Sequence, residues 1–515
     1  MTTPAPDPRR WWALGALGAC MLVLGFDLTI LNVALPEMAA QLDADTGEMQ
    51  WIVDAYIVVF AATMLPAGLL GDRFGRRRML IAGLVVFLAG SLAGTLADTP
   101  AWVIAARTGM GLGAALMTPL ALSVVPSLFE GAERTKAIGV ITAAVAAGMP
   151  LGPVIGGWLL DNYWWGSIFL INLPLAGLGI VACALLLPET RDPNSPRVDP
   201  VSAVLSVAGL GALVFGIIEA PERGWADPLV LGCFAASAAL IALLARRERQ
   251  AAHPMLDLEL LAHRGFLWNT VAATLVTLVM GGLLFVLPQY LQAVLGYDAL
   301  GTGVRLMPMM AGLLVAARGA GPLAARFGPR PVVSGGLLTL AFAALLGART
   351  ELGDGYAFTA GWLTVTGLGV GFAMVPAMDS ALSTLPPDRS GSGSGLLMTM
   401  RQMGAAIGVA LLGSLLSGAY ESRLDTDGLP SAAAAAARDS VVGAQAVGER
   451  LGAEAVAESA RSAFLQGMGL VLVVCALASL AAAVLVALLL PNRRPGSKSV
   501  TDGMDMAPVD RDGGQ

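Results

Sequence analysis

The chain has 515 residues, 56% hydrophobic and 13% charged, with a mean hydropathy of +0.72, a balance that excludes an ordinary water-soluble globule. Its formal net charge of -6 comes with basic residues scattered between apolar runs, which excludes a nucleic-acid partner. Cys20, Cys183, Cys233 and Cys475 lie in apolar runs without ligand spacing, and His253 and His263 share one polar loop, so no metal site, cofactor or histidine-based hydrolase is expected.

A bilayer core of about 30 Å needs about twenty apolar residues in a helix rising 1.5 Å per residue. On that measure the chain divides into 14 predicted spans: 11–35, 51–70, 79–97, 101–127, 137–160, 167–188, 201–220, 229–245, 267–291, 302–324, 331–348, 357–383, 395–418 and 465–490. Arg9 and Arg10 precede the first, which continues to about Pro36 with no small-residue cleavage site and so reads as a span and not a signal peptide. With the N-terminus inside, Arg73, Arg76, Arg134, Lys136, Arg197, Arg246, Arg326, Arg389 and the basic patch of Asn492 to Ser499 all fall on the cytoplasmic side; the opposite short loops keep only Arg223, Arg305 and Arg349. An even count returns the C-terminus to the cytoplasm.

Ionisable groups at membrane depth cost at least ~2.5 kcal/mol each, which makes each one a functional candidate. In the first span Asp27 sits about 12 Å below the outer surface, and Arg107 in the fourth lies about 9 Å down, so the two can meet. Such a pair either couples proton exchange to movement or statically fixes two helices. Asp54 follows only a turn after the second span begins; it reads as a hydrated interfacial carboxylate or as a cavity residue. After that span comes Gly68-Leu-Leu-Gly-Asp72-Arg73-Phe-Gly75-Arg76, glycines for a tight turn beside a dense charge cluster. Asp72 there is expected to face the N-terminus of the thirteenth span near Gly391 and latch the inner side shut.

The fifth span carries Gly148, Pro150, Gly152, Pro153, Gly156 and Gly157, small residues at helical spacing for close approach and two prolines that bend the segment. Trp51, Trp164 and Trp165 suit an interfacial belt. Farther on, Arg318, Asp379 and Arg401 lie near the cytoplasmic ends of the tenth, twelfth and thirteenth spans; each either snorkels to the headgroups or, for Asp379 and Arg401, pairs to close an inner gate. Gly321 to Gly328 repeats Gly68 to Gly75 with Ala325 in place of Asp72, which implies two related halves with a substrate cavity between them. The Ala-rich stretch from Glu421 to Ser462 forms either an outer helical cap or a mobile segment.

These motifs resemble the major facilitator superfamily, and specifically its fourteen-helix drug:proton antiporter family, over residues 11–491. Asp27 to Pro36, Gly68 to Arg77, Arg107-Thr-Gly-Met-Gly111 and Gly148 to Gly157 are similar, in order, to that family's first-span, loop, proton-coupling and antiporter motifs. Trp164 to Pro174 is similar to the subgroup exporting quaternary ammonium compounds. The thirteenth span, with Arg401-Gln402 and no acid, is closer to relatives exporting antibiotics or neutral and anionic drugs.

The resemblance implies an all-α membrane protein of the bacterial cytoplasmic membrane. Its cytoplasmic tail is 1–10, its six-helix bundles are 11–190 and 267–491, and its two inserted helices are 191–246. A cytoplasmic loop at 247–266, an extracytoplasmic loop at 421–463 and a disordered tail at 492–515 complete it. It implies a monomeric antiporter, not an enzyme, that exports lipophilic or amphipathic toxins against protons, with Asp27 and Arg107 in proton coupling; Asp54, from its place in the second span, is the further candidate for that role. A proton-coupled importer on the same fold is the alternative.

Overall fold

The computed structural model describes residues 9–129, 131–191, 199–251, 258–385, 390–426, 429–452 and 454–491, and these form helices with no strand among them. In chain order they are α1 (Arg9–Leu42), α2 (Thr46–Phe74), α3 (Arg76–Thr95), α4 (Pro100–Leu128), α5 (Gly131–Asn162), α6 (Ser167–Leu170), α7 (Asn172–Leu186), α8 (Pro200–Arg223) and α9 (Pro228–Gln250). There follow α10 (Arg264–Gln289), α11 (Ala299–Arg305), α12 (Met307–Phe327), α13 (Pro329–Gly347), α14 (Tyr356–Ser383), α15 (Ser390–Glu421), α16 (Ser431–Asp439), α17 (Val441–Leu451) and α18 (Glu454–Leu489). Among the described residues, 12 stretches are long and apolar enough to cross a membrane. The other two expected spans, 51–70 and 137–160, fall in α2 and α5, helices of 29 and 32 residues.

Helix starts follow local chemistry. Asp45 and Glu48 form a reciprocal capping box that begins α2 at Thr46, five residues before the apolar run. Thr99, Asp199 and Asp227 each cap a helix whose first residue is proline. Two expected spans are interrupted: the sixth breaks at Ile171 into α6 and α7, and the tenth at Leu306, where Pro308 opens α12. The last span begins at Glu454, well before 465, because Ala-rich sequence continues the helix above the apolar run. α5 stays helical through Pro150 and Pro153.

We call the end of the bundle where α1 passes to α2 the Asp43 end, and the end where α2 passes to α3 the Gly75 end. Glycines set how closely the helices approach. α1 and α5 run parallel with Gly25 against the Val145 carbonyl, Gly148 against Leu22, and Gly152 against Phe26 and Thr29. The same register recurs in α10 and α15, where Gly404 meets Thr274 and Gly408 meets Leu278. Likewise Gly111 of α4 lies on the Tyr56 carbonyl of α2, and Gly367 of α14 on the Met309 carbonyl of α12. Gly75 (φ 108°) and Gly328 (φ 91°) are matching one-residue joints, each ending one helix and starting the next at a φ that side chains resist.

The two repeated sets meet at the Asp43 end. Gly157 of α5 abuts Leu300 and Gly303 abuts the Pro153 carbonyl, Gln292 donates to the Val33 carbonyl at 2.8 Å, and Gly413 of α15 lies on Gln50 of α2. α8 and α9 pack on each other, and α8 also touches α2 and α15. Over the same end lie α16 and α17, a helical cap in the stretch expected to be either a cap or mobile. Thr46 Oγ1 donates to the Asp439 carbonyl (2.8 Å), Tyr420 Oη to that of Ala437 (2.9 Å), and Gln445 to that of Ala293.

A Cβ at Gly148 would run into the backbone of α1, whereas nothing lies within 4 Å of one at Gly177. G148V is therefore expected to lower stability by about 1–3 kcal/mol and G177A to leave it level or slightly raised, as read by unfolding of the detergent-solubilised protein.

Candidate functional site

Two helices deliver polar groups to one buried carboxylate, and two more hold those groups in place. Arg107 Nη1 on α4 donates to Asp27 Oδ2 at 2.9 Å, with both side chains at most 3% exposed. Asn172 Nδ2, at the start of α7, donates to Asp27 Oδ1 (3.2 Å) and to Ser91 Oγ of α3 (3.1 Å), and that hydroxyl donates to the Phe169 carbonyl (2.8 Å). The guanidinium also donates through Nε to the Ile52 carbonyl (3.3 Å) and lies 4.2 Å from the Tyr56 ring centre. Gly111, one turn from Arg107, lets α4 sit on the α2 backbone closely enough for both contacts. The structure thus brings Asp27 and Arg107 together and adds Asn172, Ser91 and Tyr56, which sequence reasoning missed. Their only signal was polar or aromatic side chains in apolar runs, Asn172 at the break before Pro174.

Asp54 is elsewhere. It lies eight residues, about 12 Å, into α2 and is fully buried, so the interfacial, hydrated reading is corrected: the capping box starts the helix earlier than the apolar run does. Neither carboxyl oxygen has a hydrogen-bond partner, an arrangement that costs about 1–3 kcal/mol. One turn before it on the same face, Gln50 abuts α15 at Gly413 and Ser414, while Ile52 and Tyr56 face Arg107. Asp54 therefore looks toward the seam between the repeated sets and takes no part in the Asp27 pair.

At the Gly75 end the side chain of Asp72, and with it the latch to Gly391, lies outside the described residues, as do the side chains of Pro150, Arg134 and Lys136, residue Arg389 and the basic patch from Asn492. Around Gly75, Arg73 is exposed with its guanidinium 5.6 Å from the Phe74 ring, as Arg326 is 5.2 Å from Phe327 in the repeat. Arg76 donates to the Ser123 carbonyl from its side chain and to that of Thr190 from its backbone, both at 2.8 Å. Arg77 and Arg78 reach Glu189 at 3.7 and 3.5 Å. These arginines tie the start of α3 to the ends of α4 and α7. Gly68 packs on Pro119, holding α2 to α4.

Asp379 and Arg401 do not pair. Asp379 is exposed in a cavity of about 680 Å³ that it shares with His263, Arg264 and Ala325, whereas Arg401 turns to Thr277 Oγ1 of α10 (3.4 Å) and Met398 Sδ (3.2 Å). The expected gate pair fails because similar depth does not fix direction around a helix. Arg318 is exposed on α12 and enters no ion pair among the described residues. Trp165 is buried edge-on against Phe169, and Trp51 packs on Phe215 of α8; only Trp164 is exposed as an interfacial belt requires. Gly156 abuts Ile30 and extends the contact of α5 on α1.

The profile of the Major Facilitator Superfamily matches residues 17–409. The multidrug efflux pump LfrA of Mycolicibacterium smegmatis is 34% identical over 94% of this chain and 97% of its own length. The tetracenomycin C resistance and export protein of Streptomyces glaucescens is 32% identical over 95% and 93%. The puromycin resistance protein of Streptomyces alboniger is 34% identical over 83% and 86%. In fold, the chain is similar to a bacterial homologue of the human lysosomal transporter Spinster in its inward-facing, occupied conformation, with a TM-score of 0.69 at 18% identity, covering 94% of this chain and 98% of that one.

Removing one member of a buried ion pair leaves the other uncompensated. R107Q is expected to cost about 3–5 kcal/mol and the neutral pair D27N/R107Q to recover most of that, a coupling that unfolding of the wild type, D27N, R107Q and the double variant measures.

Proposed function

Because the chain belongs to the major facilitator superfamily, we propose that it expels amphipathic drugs or antibiotics across the bacterial cytoplasmic membrane in exchange for protons. The observation that carries this reading is the Asp27 carboxylate, buried with Arg107 and Asn172 where α1, α3, α4 and α7 converge. Efflux and resistance proteins matched along most of its length support the direction of transport. The proton gradient is the sole energy source in this reading, and the protein acts as a monomer.

The architecture that serves this cycle has fourteen spans, α2 and α5 included, with both termini cytoplasmic and the Gly75 end facing the cytoplasm. Residues 11–190 and 267–491 form the two moving bundles, 191–246 the inserted pair, 247–266 a cytoplasmic loop and 421–463 the outer cap. Contacts between the repeated sets gather at the Asp43 end, which supports a form closed to the outside. In that form Asp27, ionised, is held by Arg107 and Asn172, and substrate enters from the cytoplasm or inner leaflet. Opening the Asp43 end lets substrate leave and a proton reach Asp27. The neutral carboxyl no longer holds Arg107 electrostatically, so α1 and α4 are free to shift as the protein returns. The proton then leaves to the cytoplasm and the pair re-forms. Asp54, without a partner in the seam between the sets, gains water when the seam parts and acts as a second carrier.

In inside-out vesicles with an imposed pH gradient, the wild type is expected to accumulate an amphipathic drug such as puromycin or an anthraquinone dye. D27N is expected to lose gradient-driven uptake by about two orders of magnitude yet retain exchange of labelled for unlabelled substrate. Substrate moving the other way would make the protein an importer, and full drive in D27N would remove Asp27 from coupling. In a cysteine-free background, D43C and Y163C are expected to label from outside and F74C and R191C only from inside; labelling of Asp43 and Phe74 positions from one side would leave α2 outside the count of spans.

A further inference from the structure

Arg401 takes no part in the cycle above, and its surroundings do not explain it. It lies eleven residues, about 16 Å, into α15, half-buried where α15 faces α10. A guanidinium has five donors. Here one meets Thr277 Oγ1 at 3.4 Å and another Met398 Sδ at 3.2 Å. Both contacts are weak: the Thr277 oxygen lies beyond the usual N–H···O range, and a thioether accepts poorly. Among the described residues no carboxylate forms an ion pair with Arg401, and Asp379 faces its own cavity.

The groups beside it have a common character. Met374 of α14 comes within 4.0 Å of Thr277 Oγ1, Met378 follows one turn along the same face of α14, and Met398 touches Arg401 itself. Such a wall is apolar, polarisable and adaptable, suited to the face and edge of an aromatic ring. In the matching α1 and α5 register, Arg401 stands where α5 has Val145 and Thr277 where α1 has Gly25, so the cation is no part of the repeated packing frame. A lone cation at this depth is costly unless something supplies an acceptor, and its planar fork suits paired oxygens.

We propose that Arg401 is the docking cation for substrate: it receives a carboxylate at the edge of a planar aromatic compound, in preference to neutral oxygens, with the rings against Met374, Met378 and Met398. The assignment rests on the export reading and gives it a substrate class, carboxylate-bearing aromatic amphiphiles in preference to aromatic cations. Cations are disfavoured by like charge at the same point.

Equilibrium binding to the purified full-length protein in nanodiscs tests this without requiring transport. The probes are rhein, a dihydroxyanthraquinone carboxylate, and danthron, the same rings without the carboxyl group. The wild type is expected to bind rhein about tenfold more tightly than danthron, as one charge-assisted contact implies. R401M is expected to bind the two alike and R401K to keep part of the preference. If R401M does not fold, R401Q carries the same comparison. Equal binding by the wild type, or a preference that survives in the folded neutral variant, overturns the assignment. Preferential rhein binding with no gradient-driven movement in vesicles would instead sink the export reading and leave the docking site standing.

Discussion

An ion pair taken out of water has to be complete, because either charge alone costs several kcal/mol and the pair repays this only when its remaining donors and acceptors are met. Asp27 and Arg107 satisfy that condition only where five helices, α1, α2, α3, α4 and α7, converge. Asp27 uses Arg107 and Asn172, and Arg107 adds the Ile52 carbonyl and the Tyr56 ring. The close approaches at Gly90, Gly111 and Gly113 bring α2, α3 and α4 to this point, and the break at Ile171 aims Asn172 into it. The geometry of the first repeated set is organised around satisfying one carboxylate.

The second set keeps the frame and discards that chemistry. With Gly111 matched to Gly367 and Gly148 to Gly404, Asp27 falls opposite Val279 and Arg107 opposite Leu363, both apolar and buried. Arg326 repeats Arg73 beside its glycine joint, but two charged groups within the helices stand where the first set has none: Arg401 opposite Val145, and Asp379 opposite Ser123. Asp379 of α14 lines the same cavity as Ala325, the residue that stands where the first set has Asp72. Duplication preserved backbone packing, which depends on missing side chains, and left the ionisable positions free to diverge.

The legibility of the sequence follows the same division. Charges in apolar runs are conspicuous because they are expensive, and Asp27 and Arg107 could be placed at compatible depths before any coordinates. Asn172 and Ser91 could not, since an uncharged polar side chain inside a helix often bonds only its own backbone, as Thr364 does. Depth itself was misjudged for Asp54 because a helix begins at its cap, here Asp45, and not at its first apolar residue. Direction was lost for Asp379 and Arg401, whose side chains turn to different neighbours, Asp379 to the cavity it shares with His263 and Arg401 to Thr277 of α10.

α8 gives the two seams between the repeated sets different surroundings. Near the Asp43 end it lies across α2 and α15, with Ser414 Oγ donating to its Ile217 carbonyl at 2.8 Å, while no long helix spans the contact of α5 with α11 among the described residues. Lipid can press directly on one seam and is fended off from the other. A molecule dissolved in the bilayer therefore meets a handed object, and lateral exchange between membrane and interior, where it occurs, is one-sided.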